Sequence, residues 1–282
     1  MYENLQSFVK SKEFLVCVDS DGCVFDTMDS KHMLCFAPSL AEEWDFGDKA
    51  EEVMDLWNEV NLYTMNRGMN RFKALAVLMR ELQEDGMQVG DVAMLKKWVS
   101  ESPELSEPAL VRDMDRYDSE IMRKALSWSR RVNKKIQELP VEARRLYDGA
   151  ANALEMMHKH ADVVIVSTAN RASLEDDWGR TGLIKHVDLL LEQNSGSKEY
   201  CIRELLKKGY DTQKVVMIGD AAGDFRAAFR NDVFFYPICV RHEQESWDEF
   251  RTTGFERLLS GQFAGGYHER KIQEFRENLM DL

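Results

Sequence analysis

Phe14-Leu-Val-Cys-Val-Asp19-Ser-Asp21-Gly22-Cys-Val-Phe-Asp26 is the stretch on which the reading of this chain turns. Five apolar residues, Phe14 to Val18, predict a buried strand, and the strand stops at two carboxylates and a glycine. Along an extended backbone positions i and i+2 point the same way, so Asp19 and Asp21 face one site beyond the strand's carboxyl end. Open α/β sheets place their ligands there. Two carboxylates this close repel, and either a shared proton or a bound cation relieves the repulsion. With oxygen donors and no nearby His or paired Cys, the cation is a hard one, Mg²⁺ first. Read alone, the same residues also describe a strand followed by an acidic turn, since Asp-Gly is ordinary turn chemistry.

The 282 residues suffice for one large domain or two ordinary ones, and a hydrophobic content of 44% is that of a globular protein. A formal net charge of -13 argues against general binding to nucleic acid or to an anionic membrane, because neither polyanion gains from meeting such a surface. Cys17, Cys23, Cys35, Cys201 and Cys239 are odd in number and lack metal-ligand spacing, which suits free thiols in a reducing compartment. No apolar run approaches membrane-spanning length. The expectation is a soluble, cytoplasmic protein.

Beyond Asp26 the pattern is helical for more than a hundred residues. Val53, Leu56, Trp57 and Val60, then Phe72, Leu75, Leu78, Met79 and Leu82, fall at helical spacing. Ser102 to Pro108, with two prolines, reads as a loop. Ile121, Ala125, Trp128, Val132, Ile136 and Leu139 trace one face of a long helix that Pro140 stops. Such stripes bury one another, so residues 28–143 are assigned to a helical bundle. The bases of the last helix, Arg123, Lys124, Arg130, Arg131, Lys134 and Lys135, read as its solvated face. Arg67, Asn70 and Arg71 share a helical face at i, i+3 and i+4, from which they could reach a substrate, or they are surface residues near a helix start.

From Ala143 onward, helices and strands alternate. Val163 to Val166 is a short apolar strand ending in Ser167-Thr168; Val187 to Leu191 is another, followed by a Ser195-Gly-Ser197 turn and a helix opening at Lys198. Val215 to Ile218 ends in Gly219-Asp220-Ala-Ala-Gly223-Asp224, and Val233 to Tyr236 adds a further strand. The alternation predicts a parallel sheet with right-handed crossovers. Near the end, Ser246 with Glu249 has the pattern of a capping box, and Ile272, Phe275 and Leu279 line a last helix. Strand ends of a parallel sheet converge on one edge, so Asp19 and Asp21, Ser167 and Thr168, Lys198, and Asp220 and Asp224 are expected to meet there.

In these segments the sequence resembles the haloacid dehalogenase superfamily, in its phosphatase branch with members such as phosphoglycolate phosphatase and beta-phosphoglucomutase. Asp19-Ser-Asp21-Gly22 with Val24-Phe-Asp26 matches the family's first motif, Ser167 the second, Lys198 the third, and Gly219, Asp220 and Asp224 the fourth. The resemblance implies a Rossmann-like three-layer α/β sandwich with a parallel sheet, built from residues 1–27 and 144–282. Residues 28–143 are then an inserted all-helical cap domain of the C1 type. His32 lies one residue beyond the histidine position of the family's sugar-phosphate mutases and is not carried over.

By that resemblance the activity is Mg²⁺-dependent hydrolysis of a small phosphomonoester, a phosphorylated metabolite, through an aspartyl-phosphate. Asp19 is then the nucleophile and Asp21 the general acid and base. Ser167, Thr168 and Lys198 bind the phosphoryl group. Asp19, the backbone carbonyl of Asp21, Asp220 and Asp224 form the metal shell. An acid at Asp21 speaks against the family's dehalogenases and phosphonate hydrolases. A mutase built on the same intermediate, and a non-catalytic phosphate-sensing or partner-binding protein on the same fold, remain as alternatives.

Overall fold

The computed structural model describes residues 4–279. Its strands in chain order are β1 (Phe14–Val18), β2 (Phe25–Asp26), β3 (Arg145–Leu146), β4 (Ala161–Val166), β5 (Leu189–Leu191), β6 (Val215–Gly219) and β7 (Phe234–Pro237). Five of them make one parallel sheet in the order β5-β4-β1-β6-β7, with β1 at its centre. Every residue of β4, β6 and β7 is buried, as is β1 from Leu15 onward, which is why these segments read as unbroken apolar runs.

Helices carry the chain between the parallel strands: Arg171–Arg180 follows β4, Lys198–Leu206 follows β5, and Ala222–Arg230 follows β6. Val18 pairs with Ile165 on one side and Ile218 on the other, so the polar tips of three strands emerge at one level. Two features escaped the sequence. The two-residue strands β2 and β3 pair antiparallel through Phe25 with Leu146 and Asp26 with Arg145, a ladder too short to leave a periodicity. Ser246 does not open a helix, because Glu243–Glu249 has already begun; its hydroxyl donates to the His242 carbonyl at 2.7 Å. Glu249 pairs with Lys271 of the last helix, Gly266–Asn278, instead.

The described residues form two compact units, one of residues up to Met28 and from Val141 onward, the other Asp29–Pro140. The second is all-helical, with Ala37–Trp44, Ala50–Leu62, Arg71–Glu84, Val92–Glu101, Glu107–Asp113 and Glu120–Gln137 around a core that includes fully buried Trp57, Trp98 and Trp128. The apolar stripes noted in the sequence face this core. Pro108 does not belong to a loop: it sits in the first turn of Glu107–Asp113, where its missing N–H leaves no bond unmade, while Ser106 caps that turn by accepting from the Ala109 N–H. The charges of Glu120–Gln137 turn outward and pair locally, Arg130 with Glu107, and Arg131 and Lys135 with Glu42.

Arg67, Asn70 and Arg71 do not share a helical face. Asn70 is the N-cap of Arg71–Glu84, accepting from the Phe72 N–H, so Arg67 lies before the helix. The buried Arg67 donates to the Leu62 carbonyl at 3.0 Å, Asn70 Nδ2 to the Leu105 carbonyl at 2.8 Å, and Arg71 to Asn133 Oδ1 at 2.7 Å. Asn70 and Arg71 thus tie segments of the helical unit together, and Arg67 bonds one of its carbonyls. Among the described residues, no helix is long and apolar enough to cross a membrane.

Candidate active site

Asp19 is the first residue past β1, and its N–H still donates to the Ile218 carbonyl at 3.0 Å, which carries the sheet's order one residue into the site. Its carboxylate is buried, and both oxygens are engaged: Oδ1 accepts from the Ser20 N–H at 2.7 Å and Oδ2 from Lys198 Nζ at 2.7 Å. Lys198 opens its helix behind the N-cap Ser197, which places the ammonium at the sheet edge. The same Nζ reaches Asp224 Oδ1 at 2.6 Å, so one lysine joins the first and last acidic segments of the chain.

Asp224 sits in the first turn of Ala222–Arg230, where its Oδ2 accepts from the Ala221 N–H at 3.1 Å, an acid satisfying an orphan donor at a helix start. Its carboxylate lies against Gly219. A Cβ added there would stand 2.3 Å from Asp224 Cγ, so the glycine of Gly219-Asp220 is required by close approach. With buried Asp220, the carboxylate oxygens of Asp19 and Asp224 form a group lying within 4.8 Å of one another.

Two of these three buried carboxylates, Asp19 and Asp224, share one ammonium, and both have raised proton affinities. Burial pushes the Asp19 carboxyl up to about 7; Asp224 adds to the rise and Lys198 opposes it. Burial raises Asp224 as well, with Asp220 repelling and Lys198 again opposing. Burial works against the Lys198 ammonium, but Asp19 and Asp224 outweigh it and hold the lysine charged. The donor set therefore suits a hard divalent cation: all its ligands are carboxylate oxygens, three carboxylates stand against one ammonium, and oxygens within 4.8 Å of one another are close enough to share one ion.

The remaining expected residues fall differently. The Asp21 carboxylate is not one of the three; it is half-buried, and the Thr27 hydroxyl donates to its Oδ1. Ser167 follows β4, buried, one step beyond the level of Asp19, with its Oγ accepting from the Ala169 N–H at 3.1 Å. Thr168 is exposed. Sequence reasoning missed Thr27 and Trp178. Thr27 directly follows the Val24-Phe-Asp26 run, an adjacency that could have flagged it. Trp178 gives no sign in sequence of its hydrogen bond to Ser20.

A family model described as haloacid dehalogenase-like hydrolase matches residues 94–237, just over half of the chain. Ser167, Lys198, Asp220 and Asp224 lie inside that range, whereas Asp19 and Asp21 precede it. No curated protein matches by sequence. Among solved structures, a Bacteroides fragilis protein described as a haloacid dehalogenase-like hydrolase is 13% identical over 83% of this chain and 93% of its own, with a TM-score of 0.52, and so shares the fold. A HAD-superfamily hydrolase of subfamily IA from Geobacter sulfurreducens is 13% identical over 81% of this chain and 90% of its own, at a TM-score of 0.44. A Lactobacillus delbrueckii protein described as a phosphoglycolate phosphatase is 14% identical over 80% of this chain and 86% of its own, at 0.49. The chain belongs to the haloacid dehalogenase-like hydrolase family.

Proposed function

We propose that this protein is a Mg²⁺-dependent phosphatase that hydrolyses a small phosphomonoester through an aspartyl-phosphate on Asp19. The observation that carries the reading is the Lys198 ammonium held between Asp19 and Asp224, 2.7 and 2.6 Å away. A nucleophilic carboxylate has to be ionised; burial raises the pKa of Asp19, and the lysine pulls it back toward the charged form.

In the first step an Asp19 oxygen forms a bond to phosphorus while the bond to the leaving alcohol breaks, and Asp21 gives that oxygen its proton. In the second, Asp21, now a base, takes a proton from water, the water oxygen attacks phosphorus, and Asp19 leaves as a carboxylate. Ser167, Thr168 and Lys198 hold the equatorial oxygens, over which charge spreads in a loose transition state. Asp19, Asp220, Asp224 and the Asp21 carbonyl would hold Mg²⁺, which supplies charge neutralisation between the attacking carboxylate and the phosphoryl oxygens. The helical unit Asp29–Pro140 acts as the cap that selects the substrate. Mg²⁺ bound beside Lys198 would offset the site's carboxylates, which an anionic ester needs in a protein whose net charge is -13.

The test is phosphate release from p-nitrophenyl phosphate and a panel of metabolite phosphates, with and without Mg²⁺, by the parent and by Asp19→Asn. Metal-dependent turnover by the parent and none by the variant is expected. No turnover across the panel, or turnover that survives the substitution, overturns the proposal.

A further inference from the structure

Between Asp19 and Asp21 stands a residue that the proposed chemistry leaves unused. Ser20 is 1% exposed, and each of its polar groups is engaged. Its N–H donates to Asp19 Oδ1 at 2.7 Å; its carbonyl accepts from the Val24 and Phe25 N–H groups at 3.0 and 3.1 Å. Its hydroxyl accepts from the indole N–H of Trp178 at 3.0 Å. Trp178 lies on Arg171–Arg180, the helix that follows Ser167, and is itself immobilised: fully buried, with its ring meeting that of Phe25 edge-on at 5.5 Å and 80°.

We propose that Trp178 is a positioning residue that acts through Ser20 to set the rotation of the Asp19 carboxylate. The inference rests on the reading of Asp19 as nucleophile. The Ile218, Val24 and Phe25 bonds hold the backbone on either side of the Asp19–Ser20 peptide, and the indole adds a hold on the Ser20 side chain. Lys198 restrains Oδ2 through a long, flexible stem, so the backbone N–H on Oδ1 is the stiffer of the two holds, and Trp178 is the side chain that contributes to that stiffness. A displaced nucleophile loses rate steeply, about a hundredfold for a 1 Å error.

Trp178→Phe keeps an aromatic ring against Phe25 and removes the donor; Ser20→Ala removes the acceptor and leaves the tryptophan in place. With p-nitrophenyl phosphate and Mg²⁺, each variant is expected to lower kcat by about tenfold or more with KM held within about twofold. The double variant should be no worse than the poorer single one, because both remove the same link. In nitrogen-15-labelled protein without substrate, the Ser20 amide of either variant should exchange faster than in the parent while that of Cys17, inside β1, is unchanged. An unchanged kcat, losses that multiply in the double variant, or an unaltered Ser20 amide overturns the inference. Failure of the parent to turn over any ester would instead defeat the phosphatase reading, and the amide exchange would still decide whether Trp178 holds Ser20.

Discussion

At the scale of single residues, the site is set by close approaches that leave no room for alternatives. Gly219 makes space for Asp224, so Gly219→Ala drives a methyl group into the carboxylate. A cost of about 1–3 kcal/mol is expected in denaturant unfolding, from overpacking, together with loss of most of the metal-dependent activity. The Thr27 hydroxyl donates to Asp21, the proposed acid and base. Thr27→Val keeps the shape and removes the hydroxyl, and kcat should fall by about tenfold or more with KM little changed, since a general acid–base contribution of 10²–10⁴ is being only partly spoiled. Asp19 and Asp220 were legible in sequence because each follows an apolar strand, a pattern visible in one dimension, whereas Asp224 was read from its place in the motif four residues after Asp220. Thr27 and Trp178 act through hydrogen bonds that turn and fold must first create, so nothing in their spacing announced them.

At the scale of elements, helix and strand periodicities carried over nearly intact, and the failures have local causes. Pro108 with its neighbour Pro103 suggested a loop, yet a proline in a first turn is compatible with a helix once Ser106 caps it. Arg67, Asn70 and Arg71 suggested a shared face by their spacing, but Asn70 caps the helix that starts at Arg71 and leaves Arg67 outside it. In the helical unit, half-buried His32 packs against both Phe36 and Trp57, which also meet each other, and accepts from the Trp57 indole N–H at 3.0 Å. Burial, with Arg67, Lys31 and Arg71 nearby, pushes its pKa down to about 3. The folded value lies below the unfolded one, so the stability this neutral ring contributes is present in full above about pH 6.5 and is lost as pH falls toward 3. The advantage of the parent over His32→Gln in thermal unfolding should therefore shrink steadily across that window; an advantage independent of pH would contradict it. Trp128, at the centre of the longest stripe, is fully buried, and Trp128→Ala should cost about 3–5 kcal/mol in unfolding of the helical unit.

At the scale of the whole molecule, one sheet edge collects residues from both ends of the chain, Asp19 from β1 and Asp224 beyond β6, and a single lysine touches both. The parallel sheet could be anticipated because alternating helices and apolar strands admit few other arrangements. Its strand order, and the β2–β3 ladder that ties residue 25 to residue 146, could not, since neither leaves a local pattern. If the three carboxylates hold Mg²⁺ as proposed, the ion at a hundred times its dissociation constant should raise stability by about 2.7 kcal/mol, and Asp220→Asn should abolish most of that gain. The central claim, that Asp19 itself carries the phosphoryl group, is tested most directly by mass spectrometry of protein quenched in acid during turnover. A phosphoryl adduct on the peptide containing Asp19, formed only with Mg²⁺ present and missing from Asp19→Asn, is the expected result. An adduct on another residue, or turnover with no adduct on Asp19 even when quenched within a single catalytic cycle, would contradict it.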